Sequence, residues 1–172
     1  WVDSHLPVVS VDEEAGVVEF ASPAVMSLRD ENRAGFARYR AENIFEALER
    51  PGEWYLDRSD GTLRYLPLPG EDPGTTPVVA PRLVHVIRLE GETGSPVHDV
   101  HFAGLSFAHT EWRYPAGVRA SIQAAVDVPG AILLTNARDC SFRLCRVSNV
   151  AGYAVELREG CAGTTIAARA VC

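Results

Sequence analysis

The chain has 172 residues, 47% of them apolar, and a formal charge of −7 at neutral pH. The apolar share supports a packed core and excludes a disordered polymer, while the acidic balance, with no Lys/Arg cluster, makes nucleic acid an unexpected partner. No apolar run is long enough to span a bilayer, and no basic-then-apolar leader opens the chain.

In chain order, Val8 to Val11 and Val17 to Phe20 are short β-rich runs joined by Asp12-Glu13-Glu14-Ala15-Gly16, a hairpin pattern with glycine near its end. Residues 27–40 are polar and read as loop. Asn43 to Glu49 predicts one short helix: Asn43 stands at the cap, Glu46 three residues on completes a capping box, and Ile44, Phe45 and Leu48 form the apolar face. Pro51-Gly52 ends it. Residues 53–66 place aromatic and aliphatic strands on either side of Asp60-Gly61, a strong hairpin signal, and Pro67 and Pro69 stop the second strand. The Pro/Gly/Thr-rich stretch 70–81 reads as a linker. Residues 1–81 are thus expected to be a β-rich, sandwich-like accessory region with one short helix.

From Leu83 the pattern changes. Val100, Phe102, Leu105 and Phe107 define an apolar-x-apolar-x-x-apolar-x-apolar string that returns as Cys140, Phe142, Cys145 and Val147, and in a worn copy as Thr164, Ile166, Arg169 and Val171. Each string follows a short apolar strand: Ile87/Leu89, then Ile132/Leu134, then Val155/Leu157. Alternation turns one side chain of each pair inward, and the x-x step is a corner. A repeat of about 24 residues with no helical period predicts coils of a parallel β-solenoid over 82–172, with Phe102 over Phe142 over Ile166, and Phe107 over Val147 over Val171. Cys140 and Cys145 fall on inward positions as small hydrophobes. Cys161 and Cys172 show no metal-ligand spacing, so no metal or cofactor is expected. Ala108 to Gly130 interrupts the first coil and, by its length, reads as a functional wall or lid.

Residues 42–48 (Glu-Asn-Ile-Phe-Glu-Ala-Leu), 51–57 (Pro-Gly-Glu-Trp-Tyr-Leu-Asp) and 61–67 (Gly-Thr-Leu-Arg-Tyr-Leu-Pro) resemble the segment leading into the helix of bacterial right-handed parallel β-helix proteins of the pectate-lyase-like superfamily. Within it the likeness is to β-xylosidase-like glycoside hydrolases that insert a β-sandwich domain; residues 97–110 and 152–157 fit the coils that follow. The resemblance implies the start of a right-handed parallel β-helix in a secreted, periplasmic or surface protein acting on a poly- or oligosaccharide. It also implies that the catalytic carboxylates project mostly from later coils. The start at Trp1 and the stop at Cys172 in mid-pattern point to an internal piece of a longer protein.

Glycosidic hydrolysis calls for two carboxyl groups facing each other across the sugar. The outward acids are Asp99, Glu111, Asp127, Asp139 and Glu156, with Glu111 and Glu156 the catalytic candidates. Glu111 beside Trp112 suits a sugar, whose apolar face stacks on indole while its hydroxyls seek charged acceptors. Gln123 and Tyr153 join them as candidate binding residues. Two alternatives stand beside hydrolysis: a non-catalytic carbohydrate-binding or adhesion solenoid, and a polysaccharide lyase, which the scattered acids disfavour. His98 and His101 lack a third ligand and read as a solvated strand edge.

Overall fold

Strands whose side chains alternate between apolar and polar cannot bury their inner row alone, so their stability depends on which strands lie beside them. A computed structural model of the chain describes residues 4–29, 35, 37–115, 117–118, 120–121 and 123–171. By its internal contacts the chain divides into two units, Trp1–Met26 with Val79–Cys172, and Ser27–Val78. The protein is all-β, and its described strands close no barrel.

The first unit opens with the expected hairpin, β1 (Val8–Asp12) antiparallel to β2 (Val17–Phe20). The second unit carries β3 (Trp54–Asp57) antiparallel to β4 (Thr62–Tyr65), the hairpin marked by Asp60-Gly61. Asp57 holds its turn by accepting the Ser59 amide and hydroxyl at 2.9 and 2.6 Å, and Asp60 accepts the Thr62 amide.

The rest of the first unit is built from parallel strands. These are β5 (Ile87–Glu90), β6 (Val97–His98), β7 (His101–Ala103), β8 (Ser106–Ala108), β9 (Gly130–Thr135), β10 (Ala137–Arg138), β11 (Ser141–Ser148), β12 (Tyr153–Leu157) and β13 (Thr165–Val171). β9 lies between β5 and β12, which puts Ile87, Ile132 and Val155 in one row and Leu89, Leu134 and Leu157 in the next. β11 lies between β13 on one side and β7 with β8 on the other; Phe102, Phe142 and Ile166 share a row, and Phe107 faces Val147. β10 pairs with β6.

The core forms where these rows meet. Ile132, Leu134, Cys140, Phe142, Cys145 and Val147 are at most 2% exposed, as the inward positions of the repeat predict, and Ala137 is buried with them. The Phe142 ring stacks on Phe102 at 4.9 Å and 14°, and meets Phe107 edge-on at 6.3 Å. Corners are made by residues in the left-handed region, among them Asp139 at φ 50° and Leu144 at φ 54°. Gly104 holds the place of Leu144 one repeat earlier, at φ 68°.

Several expectations are corrected. The helix over 43–49 is a single 3-10 turn, Phe45–Ala47, with no side-chain cap. Asn43 adopts φ 55° and spends its amide on Leu56, donating to the carbonyl at 3.0 Å and accepting the N–H at 2.9 Å, so it fastens β3 instead of starting a helix. The strands of residues 1–81 form two two-stranded hairpins, β1–β2 in the first unit and β3–β4 in the second. By internal contacts Trp1–Met26 groups with the repeats, and Ser27–Val78 forms the other unit. The third repeat loses a residue at its corner. Arg143 faces Ala167 but Arg146 faces Arg169, so Val147 pairs with Ala170, and Val171 with Ser148. The expectation for Cys172 lies outside the described residues.

Candidate functional site

The first repeat's excursion leaves at Ala108 and returns at Gly130, and polar contacts of its own residues hold it in place. Thr110 is buried, and its hydroxyl accepts the Ala151 amide at 3.0 Å, tying the start of the loop to the turn before β12. The Glu111 amide donates to the Leu83 carbonyl at 2.9 Å. Trp112 and Tyr114, two residues apart, meet edge-on with ring centroids 4.6 Å apart. The Tyr114 hydroxyl lies 3.2 Å from the hydroxyl of Ser121 and accepts the Ser121 amide at the same distance, and Ser121 is 2% exposed.

The chain's first described residues complete the wall. Ser4 bridges Ala120 in antiparallel fashion, and the His5 ring lies 5.3 Å from that of Tyr114. Opposite in sequence, the Tyr153 hydroxyl donates to the Ala124 carbonyl at 2.7 Å, anchoring β12 to the 3-10 turn Gln123–Ala125. Gly152 is required here: a Cβ would stand 2.3 Å from the Pro129 carbonyl oxygen and 2.7 Å from Val128.

These contacts enclose an open cavity of about 560 Å³ lined by His5, Trp112, Arg113, Tyr114, Ser121 and Tyr153, with Ala125, Val128, Ala151 and Gly152. Of the sequence candidates, Trp112 and Tyr153 are brought together in it. Glu111 and Gln123 are not among its lining residues. Glu111 is ion-paired with Arg113. Glu156 accepts the Gly130 amide at 2.9 Å and Arg158 Nε at 2.8 Å. Burial pushes its carboxyl up, but the Gly130 hydrogen bond and the Arg158 guanidinium outweigh that and hold it below the usual carboxylate range. A carboxylate engaged in this way is a structural brace between β9 and β12. A general acid must instead keep its proton near neutral pH.

Sequence reasoning missed His5 and Ser121, and placed Arg113 and Tyr114 in the functional loop without assigning them to the site. Tyr114 carried a signal, its spacing of two from Trp112; His5 carried none, because it is far away in the chain. Among the described residues no three His, Cys, Asp or Glu side chains gather to hold a metal ion, and no helix is long and apolar enough to cross a membrane. His101 Nδ1 lies 2.9 Å from the Ser141 hydroxyl, and His98 lies against Asp99 at 2.8 Å.

Fold and site together define an all-β chain in which a loop between parallel strands encloses an aromatic cleft. No family model, no curated protein and no solved structure matches it.

Proposed function

We propose that the cleft binds a poly- or oligosaccharide, and that residues 79–171 are the first coils of a right-handed parallel β-helix in a carbohydrate-active protein of the cell exterior or periplasm. The observation that carries the binding reading is the convergence of Trp112, Tyr114 and Tyr153 on one cavity beside the polar atoms of Ser121, His5 and Arg113. Aromatic faces take the C–H surface of a pyranose, and hydroxyl, imidazole and guanidinium groups suit its rim. The parallel rows of Phe102, Phe142 and Ile166, and of Ile87, Ile132 and Val155, support the β-helix reading.

Within this chain, binding without catalysis is the better supported role. Glu111 and Glu156 are each committed to an arginine, and no carboxylate is among the described lining of the cleft. Glycoside hydrolysis by the protein would therefore draw its acid pair from outside these residues. Calorimetric titration of the chain with a panel of neutral and acidic oligosaccharides tests this. Trp112→Ala should weaken the best ligand at least about tenfold, roughly the loss of one stacking contact, while Glu111→Gln should leave its affinity unchanged. Failure of every sugar to bind, or a Trp112→Ala variant that binds like the parent, would refute the binding site. Release of nitrophenol from a glycoside by the chain alone, abolished by Glu111→Gln, would place catalysis here after all.

A further inference from the structure

The outer face of the sheet around β11 differs in charge from the chain as a whole. Strands β7, β8, β11 and β13 hold three arginines, one histidine and no acid, in a chain whose formal charge is −7. On β11 Phe142, Cys145 and Val147 turn inward, and Arg143 and Arg146 are left exposed. Their guanidiniums have no ion-pair or hydrogen-bond partner among the described residues, whereas Arg88, Arg113 and Arg158 are each paired with a glutamate. Arg143 lies between Ala103 and Ala167, and Arg146 between Ser106 and Arg169, so two arginines occupy neighbouring places in one row. Between Arg143 and Arg146 the strand turns its corner at Leu144, held at φ 54° and 86% exposed. Gly104 holds this place in the repeat before and offers no side chain to cover it, and the repeat after is one residue shorter at its corner.

Neither feature helps the chain to fold. A leucine in the left-handed region costs stability that a glycine would spare, and like charges at facing positions of neighbouring strands repel. Strain of this kind gathers where a surface makes contact with something else. We infer that this face docks on an anionic phospholipid surface, with headgroup phosphates taken by Arg143 and Arg146 and Leu144 inserted at the boundary of the acyl chains. The planar fork of an arginine matches phosphate, and an anionic leaflet attracts basic residues. Leu144 decides between anionic partners. An acidic glycan would satisfy the guanidiniums but offers no apolar phase to a projecting leucine, and an extended peptide would be held off the sheet by it. A bilayer takes in such a side chain at the headgroup boundary. The contact is peripheral, since among the described residues no helix is long and apolar enough to cross a membrane. None of these residues is among those lining the cleft, so the contact is independent of the sugar reading.

Co-sedimentation of the chain with lipid vesicles tests this. Vesicles of phosphatidylcholine with about one-third phosphatidylserine should bind the chain, and vesicles of phosphatidylcholine alone should not. Added salt should release it. Arg143→Glu/Arg146→Glu should abolish binding, and Leu144→Gly should weaken it at least about tenfold while leaving the chain as stable as the parent. Leu144→Trp should bind, with its indole emission shifted to the blue as anionic vesicles are added. Arg58→Glu, an equal change of charge per residue on the exposed β3–β4 turn, should leave binding unchanged. Circular dichroism confirms that each variant is folded, and should the double variant fail to fold, the salt and lipid dependence of the parent and the Leu144 variants carry the test. No binding to anionic vesicles, equal binding to both kinds, a Leu144→Gly variant that binds like the parent, or loss of binding in Arg58→Glu would each overturn the proposal. So would capture by dextran sulfate in place of vesicles, which would mark a soluble polyanion as the partner.

Discussion

Phe142→Ala probes the packing most directly. The ring is 1% exposed, stacks on Phe102 at 4.9 Å and touches Phe107 edge-on, so removing it loses both its transfer free energy and two aromatic contacts. Phe-to-Ala in a core costs about 3–5 kcal/mol, and each aromatic pair adds about 0.5–1.5 kcal/mol beyond area burial. The flanking strands β7 and β13 are bound to β11 by backbone hydrogen bonds and cannot easily collapse into the space, so a value near the upper end, about 4–5 kcal/mol, is expected. Against a total stability of about 5–15 kcal/mol, this leaves a marginal fold. Urea unfolding followed by circular dichroism measures it. Ile166→Ala, in the same row but 44% exposed, should cost less than half as much. If the two substitutions cost the same, or Phe142→Ala costs under about 1.5 kcal/mol, the row is not the stabilising unit.

Three further outcomes are expected. Gly152→Ala would drive a Cβ to 2.3 Å from the Pro129 carbonyl, which should lower stability by about 1–3 kcal/mol and weaken the proposed sugar binding, read by a thermal melt and by titration. Leu144 is 86% exposed and held at φ 54°, so Leu144→Gly relieves about 1–2 kcal/mol of left-handed strain against about 0.5–1 kcal/mol of added chain entropy. A net gain of up to about 1 kcal/mol is expected in urea melts, and a clear loss would contradict the corner geometry. Glu156 carries a depressed carboxyl, which stabilises the fold above the unfolded carboxylate range and loses that contribution as pH falls through the folded value. Glu156→Gln should therefore be less stable than the parent at neutral pH and lose less on acidification; parallel stability–pH curves for the two proteins would rule this out.

Alternation and repeat spacing were enough to read the inner rows from the sequence, since a side chain's face depends only on its parity along a strand. Phe102, Phe142 and Ile166 share a row because they share a place in the repeat, and the Asp60-Gly61 hairpin follows from local turn chemistry. Where parity was broken, the sequence misled. A single missing residue at the third corner moves Val171 from Val147 to Ser148, and a deletion inside a degenerate copy leaves no local mark.

The cleft needed the tertiary structure. Trp112 and Tyr153 were visible as aromatics, but only the fold brings them beside His5, Tyr114 and Ser121, more than a hundred residues after His5 in the chain. The same holds for the acids. Glu156 is outward by parity, yet its role was decided by the Gly130 amide 26 residues earlier, and Asn43 became a brace for β3 because Leu56 lies within reach of its amide. Which side chains can be buried is a property of local pattern. Which polar groups satisfy one another depends on how distant segments are brought together, and that is decided only when the chain folds.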